Sequence, residues 1–339
     1  MRAVVIGAGV AGLACALELA ERGASVEVLE RGERLGSGGC SWFAGGMLAP
    51  WCELEHCEPL IAHLGAEAIA WWQARFPGTV ANGTLVVAHA RDVPALTQFT
   101  ARITARAGHC QALDRSDLAS LEPELAGRFD HAVWLKEEGH LDPRAALAAL
   151  AARLTELGVP IRFGVEAQAR DFAGRAVLDC SGLGARGRLR DLRGVKGEML
   201  LLHQPEIALR RPVRLLHPRL PVYIVPRGEG VYMVGATMIE SDEGARISAR
   251  SMLELLSAAY ALHPAFGEAQ ILETGTGVRP AFPDNLPRIE QVGEALYVNG
   301  LYRHGFLLAP ALARRAAQAL IGSDVPEVMH ADSRQRLLA

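Results

Sequence analysis

The sequence predicts a mixed α/β (α+β) fold, a Rossmann-like half built on a parallel sheet joined to a half built on an antiparallel sheet. Three observations predict it. The apolar run Ala3 to Ile6 leads directly into Gly7-Ala8-Gly9-Val10-Ala11-Gly12, a helical pattern from Leu13 to Arg22, and a second apolar strand ending on Glu30. A second glycine loop, Cys180 to Ala185, follows another buried strand, Ala176 to Asp179. From Val195 the texture changes to closely spaced strands with a hairpin signal at Pro226 to Gly230.

The first thirty residues carry the most specific signal. Strand, Gly-x-Gly-x-x-Gly, helix, strand and acid in this order form a dinucleotide-binding βαβ unit. Gly7 permits the tight turn, Gly9 lets backbone approach a pyrophosphate, and Gly12 lets helix and strand pack closely. The helix N-terminus offers N–H groups and partial positive charge to phosphates. Glu30, eighteen residues past Gly12, is placed to accept from a ribose. This motif does not separate FAD from NAD.

Composition narrows the classes. The 339 residues are 50% hydrophobic with a formal net charge of −3, enough for two domains and without the basic excess of a nucleic-acid binder. The first strand begins at residue 3 and no apolar run reaches bilayer length, so the expectation is a soluble cytoplasmic protein without membrane association. The six cysteines match no disulfide framework. Cys52-Glu53-Leu54-Glu55-His56-Cys57 has a faint look of a metal loop, but no second Cys/His pair lies near it in sequence, and the expectation is free thiols and no metal.

Taken in order, Gly39 to Pro50 is a loop of small residues in which Gly45-Gly46 lets backbone pass close to a flat or charged group. A helix is expected from Pro59 to Arg75, a strand over Thr84 to Ala88, and a helix from Asp92 to about Ala107. His131 to Leu135 reads as a strand. Asp142-Pro143 reads as an N-cap with proline at the first helical position. Pro160 to Phe163 returns to the first sheet, and Gly182 sits in the second glycine loop, at a strand end of the kind where doubly wound sheets bind ligands. Ile271 to Val278 runs into Arg279-Pro280, and the last helix spans Leu307 to Ile321, its N-terminus facing the central crevice. The expected partition is 1–82, 140–192 and 268–339 for the cofactor domain, with 83–139 and 193–267 for the substrate domain.

An ordered set of segments carries a family resemblance. They are Gly-Ala-Gly-Val-Ala-Gly at 7–12, Ala-Gly-Gly-Met-Leu-Ala-Pro at 44–50, Val-Lys-Gly-Glu-Met at 195–199, Tyr-Ile-Val-Pro-Arg at 223–227, Val-Gly-Ala-Thr-Met at 234–238, Gly-Val-Arg-Pro at 277–280 and Tyr-Arg-His-Gly-Phe-Leu-Leu-Ala-Pro at 302–310. Together they resemble the D-amino-acid oxidase superfamily of flavoproteins. Within it they look most like the glycine oxidases associated with thiazole formation in bacterial thiamine synthesis.

The resemblance implies FAD rather than NAD, an amino-acid substrate, molecular oxygen as acceptor, a thiazole synthase as partner, and a homo-oligomer, tetramers occurring in the family. Val10, Ala11, Glu30, Arg31, Cys40, Ser41, Gly45, Gly46 and Met47 fall on its flavin-contacting positions and Val165 on the adenine side. Leu301, Tyr302, Arg303, His304, Gly305, Phe306 and Leu307 fall on the loop under the isoalloxazine ring. Arg279 and Arg303 match the substrate-carboxylate positions, and Tyr223, Met238 and Met47 the pocket wall. Physical chemistry agrees in part: a guanidinium fork suits a planar carboxylate, a tyrosine hydroxyl adds a hydrogen bond, and a helix N-terminus stabilises charge on a reduced ring.

No catalytic side-chain base is nominated, His304 reads as structural rather than catalytic, and Lys196 reads equally as the flavin-domain neighbour that the resemblance implies and as a solvated lysine. Cys40 stands where the family often has Ser or Thr, and Phe43 is bulkier than usual there. No cysteine follows Cys180, so the cysteine tether of some relatives is ruled out and FAD is expected to bind noncovalently. Sarcosine, a small D-amino acid or D-proline are competing substrates, a dehydrogenase is a competing activity, and a flavin-bearing scaffold without turnover is the reading from another class.

Overall fold

The computed structural model describes residues 1–322 except 56, 107–109 and 218–221, together with 326, 328 and 329. His56 of the Cys52–Cys57 loop therefore lies outside the described residues, as does Ala107 at the expected end of its helix.

The opening unit forms as its residue pattern dictates. The apolar strand β1 (Arg2–Ile6) pairs in parallel with β2 (Ser25–Glu30), and α1 (Val10–Glu21) crosses between them. Strands Ala176–Asp179 and Ile161–Phe163 extend the sheet in parallel on either side. Ala295–Asn299 follows in parallel, and Arg288–Val292 closes the edge antiparallel. Helix α1, the helix Pro143–Glu156 and the final helix Gly305–Ile321 bury their apolar residues together against this sheet. Asp142 caps its helix as expected, accepting from the Ala145 N–H at 2.8 Å with Pro143 at the first position.

The second sheet is mostly antiparallel, and its long strand Arg193–His203 lies next to one edge. It contains one parallel pair, Val213–Leu216 beside Thr84–Ala88, which joins the late strands to the early ones. One face packs under the helix Ala249–Leu262, and the other faces the first half of the molecule with Met199, Tyr223, Val225 and Met233. The short pair Met47–Leu48 and Gly139–His140 forms a separate two-stranded ribbon.

Three expectations need correction. Gln270–Ala281 is one strand that pairs with Arg193–His203 along its length, so hydrogen bonding places it in the second sheet and the expected boundary at 268 parts it from its partner. The helix expected over Pro59 to Arg75 is two, Pro59–Gly65 and Ala68–Gln73. The break falls beside Glu67, whose carboxylate turns to Arg315 at 2.7 Å, and beside Gly65, where a Cβ would lie 2.7 Å from Leu307. The final helix begins at Gly305, two residues earlier than expected, which brings its N-terminus into the crevice.

Candidate active site

A cavity of about 1080 Å³ runs along the carboxyl ends of the parallel strands. Its wall includes Gly7, Gly9, Val10, Ala11, Glu30, Arg31, Cys40, Ser41, Val165, Gly182, Leu301, Tyr302 and Gly305. Gly7 has φ +98° and a Cβ there would lie 2.8 Å from the Cys180 carbonyl oxygen, so the turn admits only glycine. Gly12 is not on the wall; a Cβ on it would lie 1.8 Å from the Gly7 oxygen, which is the expected close packing of helix on strand.

Two polar groups at this wall already hold backbone. Glu30 accepts from the Ala8 N–H at 2.7 Å and the Gly32 N–H at 2.8 Å, so the acid expected to face a ribose also ties the glycine loop to β2. The Ser41 hydroxyl oxygen accepts from the Val10 N–H at 3.2 Å and satisfies one of the amide groups expected to be open at the helix start. Val165 donates its N–H to the Glu30 carbonyl at 2.9 Å. The bulk of Phe43 is accommodated by Gly275 opposite, where a Cβ would come within 2.5 Å of its ring. Burial pushes the Cys40 thiol up, and it stays neutral.

A second, smaller chamber of about 110 Å³ adjoins the first, with Gly305 on the wall of both. Gly45, Gly46, Met47, Tyr223, Met238, Arg279, Arg303, His304, Phe306 and Leu307 line this chamber, not the larger cavity. The seventeen-residue helix starting at Gly305 points its positive end at this junction, where negative charge is favoured. Trp72 fixes that end by donating its Nε1–H to the Phe306 oxygen at 2.8 Å. The Tyr302 N–H donates to the Pro280 oxygen at 3.1 Å and fastens the Arg303 loop to the Arg279 strand. Tyr302 itself takes a left-handed φ of +50°, the kind of local strain that clusters at binding sites.

The two arginines differ. Arg303 is paired: its Nη2 lies 2.9 Å from Glu53 Oε2 and 3.2 Å from Oε1. Tyr223 is engaged by the same carboxylate, its hydroxyl donating to Glu53 Oε1 at 3.1 Å. Arg279 donates to the Thr237 carbonyl at 3.0 Å, and among the described residues no carboxylate lies within ion-pair distance of it. Its guanidinium occupies the space above Gly197, where a Cβ would lie 2.1 Å from Nη2. Lys196, in the same strand, turns away and pairs with Glu198 at 2.9 Å. Met238 is 49% exposed and places its sulfur 3.4 Å from Arg303 Nη1, at the rim of the chamber.

The titratable groups are strongly biased. Burial opposes ionisation of Glu53, but Arg303, His304, Arg214 and the Tyr223 hydroxyl together hold its carboxyl down to about 2. Burial drives the His304 imidazole down to about 4, against the pull of Glu53, so it is neutral at pH 7. Burial pushes Glu138 up to about 8; this acid accepts from the Trp51 N–H at 2.9 Å and the Cys52 N–H at 2.7 Å and so holds the turn that carries Glu53.

Glu53, Glu138, Gly197 and Arg227 escaped assignment from sequence. Arg227 donates to the Leu141 oxygen at 2.7 Å and the Gly45 oxygen at 2.8 Å, pinning the glycine loop under the chamber. The only sequence sign of Arg227 and Gly197 was their place inside family-like segments. Glu53 was visible only as part of the faint Cys52–Cys57 metal pattern.

A model of FAD-dependent oxidoreductases matches residues 2–319. The chain belongs to the FAD-dependent oxidoreductase family. FAD is the cofactor of this family, and a wall of glycine loop, helix N-terminus, acid and second glycine loop fits a dinucleotide. The likeness extends to particular members. The chain is 55% identical over 322 residues, 95% of its own length and 97% of the other's, to the "Putative thiamine biosynthesis oxidoreductase ThiO" of Rhizobium etli. The crystal structure of glycine oxidase from Geobacillus kaustophilus superposes with a TM-score of 0.82 at 26% identity, covering 96% of both chains. The bifunctional protein ThiO/ThiG of Synechocystis is 27% identical over 364 residues; this flavoprotein chain spans 99% of itself there but 54% of the fusion. No described helix is long and apolar enough to cross a membrane.

Proposed function

We propose that the protein is an amino-acid oxidase whose substrate is glycine. One observation carries this reading: the Arg279 guanidinium, without a carboxylate partner among the described residues, faces a chamber of about 110 Å³ that meets the dinucleotide cavity at Gly305. An uncompensated guanidinium in a partly desolvated chamber selects a small anion, and its planar fork suits a carboxylate. A chamber of this size suits a small amino acid. The names of the similar proteins, glycine oxidase among them, support the same reading.

Arg279 holds the substrate carboxylate, and this leaves the α-carbon toward the junction at Gly305. Tyr223 and Arg303, both tied to Glu53, form a rigid wall rather than a second clamp. Bound FAD supplies acceptance of two electrons from the α-carbon and their transfer to oxygen. The overall reaction converts glycine, oxygen and water to glyoxylate, ammonia and hydrogen peroxide. Neither Glu53, at about 2, nor His304, at about 4, is basic enough to deprotonate an ammonium group, so the amine proton leaves to solvent. The relative named for thiamine biosynthesis and the fused ThiO/ThiG proteins support a thiazole synthase as the partner that receives the imine product.

The test is anaerobic mixing of the yellow holoenzyme with glycine, sarcosine, D-alanine and D-proline. Glycine is expected to bleach the flavin absorbance, with peroxide released on admission of air. Bleaching by another member of the panel with higher kcat/KM than glycine would reassign the substrate. No bleaching by any of them would leave a scaffold without turnover.

A further inference from the structure

We infer that Glu53, Cys57 and His304 form a site for a transition-metal dication, zinc above all, on the wall of the substrate chamber, and that metal and amino acid compete there. One ligand atom from each of these side chains lies within 4.8 Å of the other two. Sequence alone offered only the faint Cys52–Cys57 pattern and no third ligand, because that ligand comes from 247 positions beyond Cys57.

The local fold brings the three together. Glu53 lies in the short helical turn Cys52–Glu55, and the Cys57 N–H donates to the Glu53 carbonyl at 3.0 Å. That bond spans four residues, so the side chains of Glu53 and Cys57 fall on one side of the turn. His304 closes the cluster from the start of the final helix, its Nε2 3.3 Å from Cys57 Sγ. In a tetrahedral zinc site, with Zn–S about 2.3 Å and Zn–N about 2.0 Å, sulfur and nitrogen ligands stand roughly 3.5 Å apart.

The donor set is selective. One carboxylate oxygen, one thiolate and one imidazole nitrogen suit zinc rather than magnesium or calcium, which take oxygen ligands. The thiolate offsets part of the charge of the cation, the Glu53 carboxylate supplies a ligand oxygen while its charge stays shared with Arg303, and the thiol proton goes to solvent on coordination. The Glu53 carboxylate is oriented beforehand by Tyr223 at 3.1 Å and Arg303 at 2.9 Å, the outer partners that a metal-binding carboxylate needs. Three protein ligands leave a fourth position open. Glu53 and His304 both line the chamber, so a metal held by them stands in the space the substrate enters.

The experiment uses chelator-treated yellow holoenzyme. Calorimetric titration with zinc chloride is expected to show one site per chain. Cobalt(II) alone is expected to give tetrahedral d–d bands at wavelengths beyond the flavin absorption. Cys57→Ser is expected to weaken both metals by about ten-fold or more, with flavin spectrum and metal-free turnover retained. Zinc should raise the apparent KM for the amino acid in the wild type, with chelator reversing it, and should do so far less in Cys57→Ser. Absence of one-to-one binding, octahedral cobalt bands, or equal affinity in Cys57→Ser and wild type would each overturn the site. The binding readouts need no turnover, so they stand whether or not glycine is the substrate.

Discussion

Arg303 and Glu53, 250 positions apart, stand 2.9 Å from each other on the wall of the small chamber. The pairing divides two arginines that sequence alone treats as equivalent. Arg303 brings no net charge to the chamber, whereas Arg279, held by the Thr237 carbonyl, does. It also explains why Glu53 remains ionised despite burial.

Glu53→Gln removes the counter-charge and leaves two guanidinium groups facing the chamber. Affinity for an amino acid with a second carboxylate should then rise. The KM for D-aspartate is expected to fall about ten-fold relative to wild type, worth about 1.4 kcal/mol, while FAD content is unchanged. Steady-state kinetics with glycine and D-aspartate check this; no change in their ratio would show that Arg303 does not face the substrate.

Arg279→Ala should raise the apparent KM for glycine by two orders of magnitude or more, in keeping with about 3–5 kcal/mol for loss of a desolvated charged hydrogen-bond partner. Arg279→Lys should recover only part of this, because an ammonium cannot reproduce the planar fork. The flavin spectrum should remain that of the wild type in both. Unaltered KM in Arg279→Ala would remove the carboxylate clamp.

Gly197→Ala should mimic loss of Arg279 without touching it. The added Cβ would lie 2.1 Å from Arg279 Nη2, and the guanidinium must move. The expected outcome is a KM increase of about ten-fold or more with a near-normal melting temperature. A crystal structure of the variant should show the Arg279 side chain displaced from the Thr237 carbonyl.

The pH dependence of turnover should follow the substrate. Glu53 at about 2 and His304 at about 4 have both lost their protons well below neutrality. The rising limb of kcat/KM above pH 6 should therefore shift between glycine and sarcosine as their amine pKa values differ. A limb that stays fixed for both would point to an enzyme group.

Glu138 should shape stability near neutrality. Its folded-state pKa, about 8, is above the ordinary carboxyl value, so the folded state holds a proton that the unfolded chain has lost. Stability from this group is complete at low pH and declines as pH rises toward 8, with a slope of at most about 1.4 kcal/mol per unit. Glu53 and His304 have the opposite sign, but their windows lie below pH 6.5. Glu138→Gln keeps an oxygen for the Trp51 and Cys52 amides and cannot ionise. Urea unfolding between pH 6.5 and 8 should show a flatter stability profile in the variant.

By itself the sequence determined the opening βαβ unit, the mixed fold class and the family. Those features rest on short-range physics: the apolar run of β1, the left-handed turn at Gly7 and the small residue at Gly12 all act within thirty positions. It also placed Arg279 beside Pro280 at a strand end. Only the tertiary structure decided that Glu53 neutralises Arg303, that Gly275 makes room for Phe43, that Arg227 pins the Gly45 backbone, and that His304 meets Cys57. Each of these joins segments between about 180 and 250 positions apart, brought together by packing of the second sheet and the final helix against the first half of the chain. Such pairings leave no periodic trace in the sequence, because each depends on where two separately folded surfaces meet.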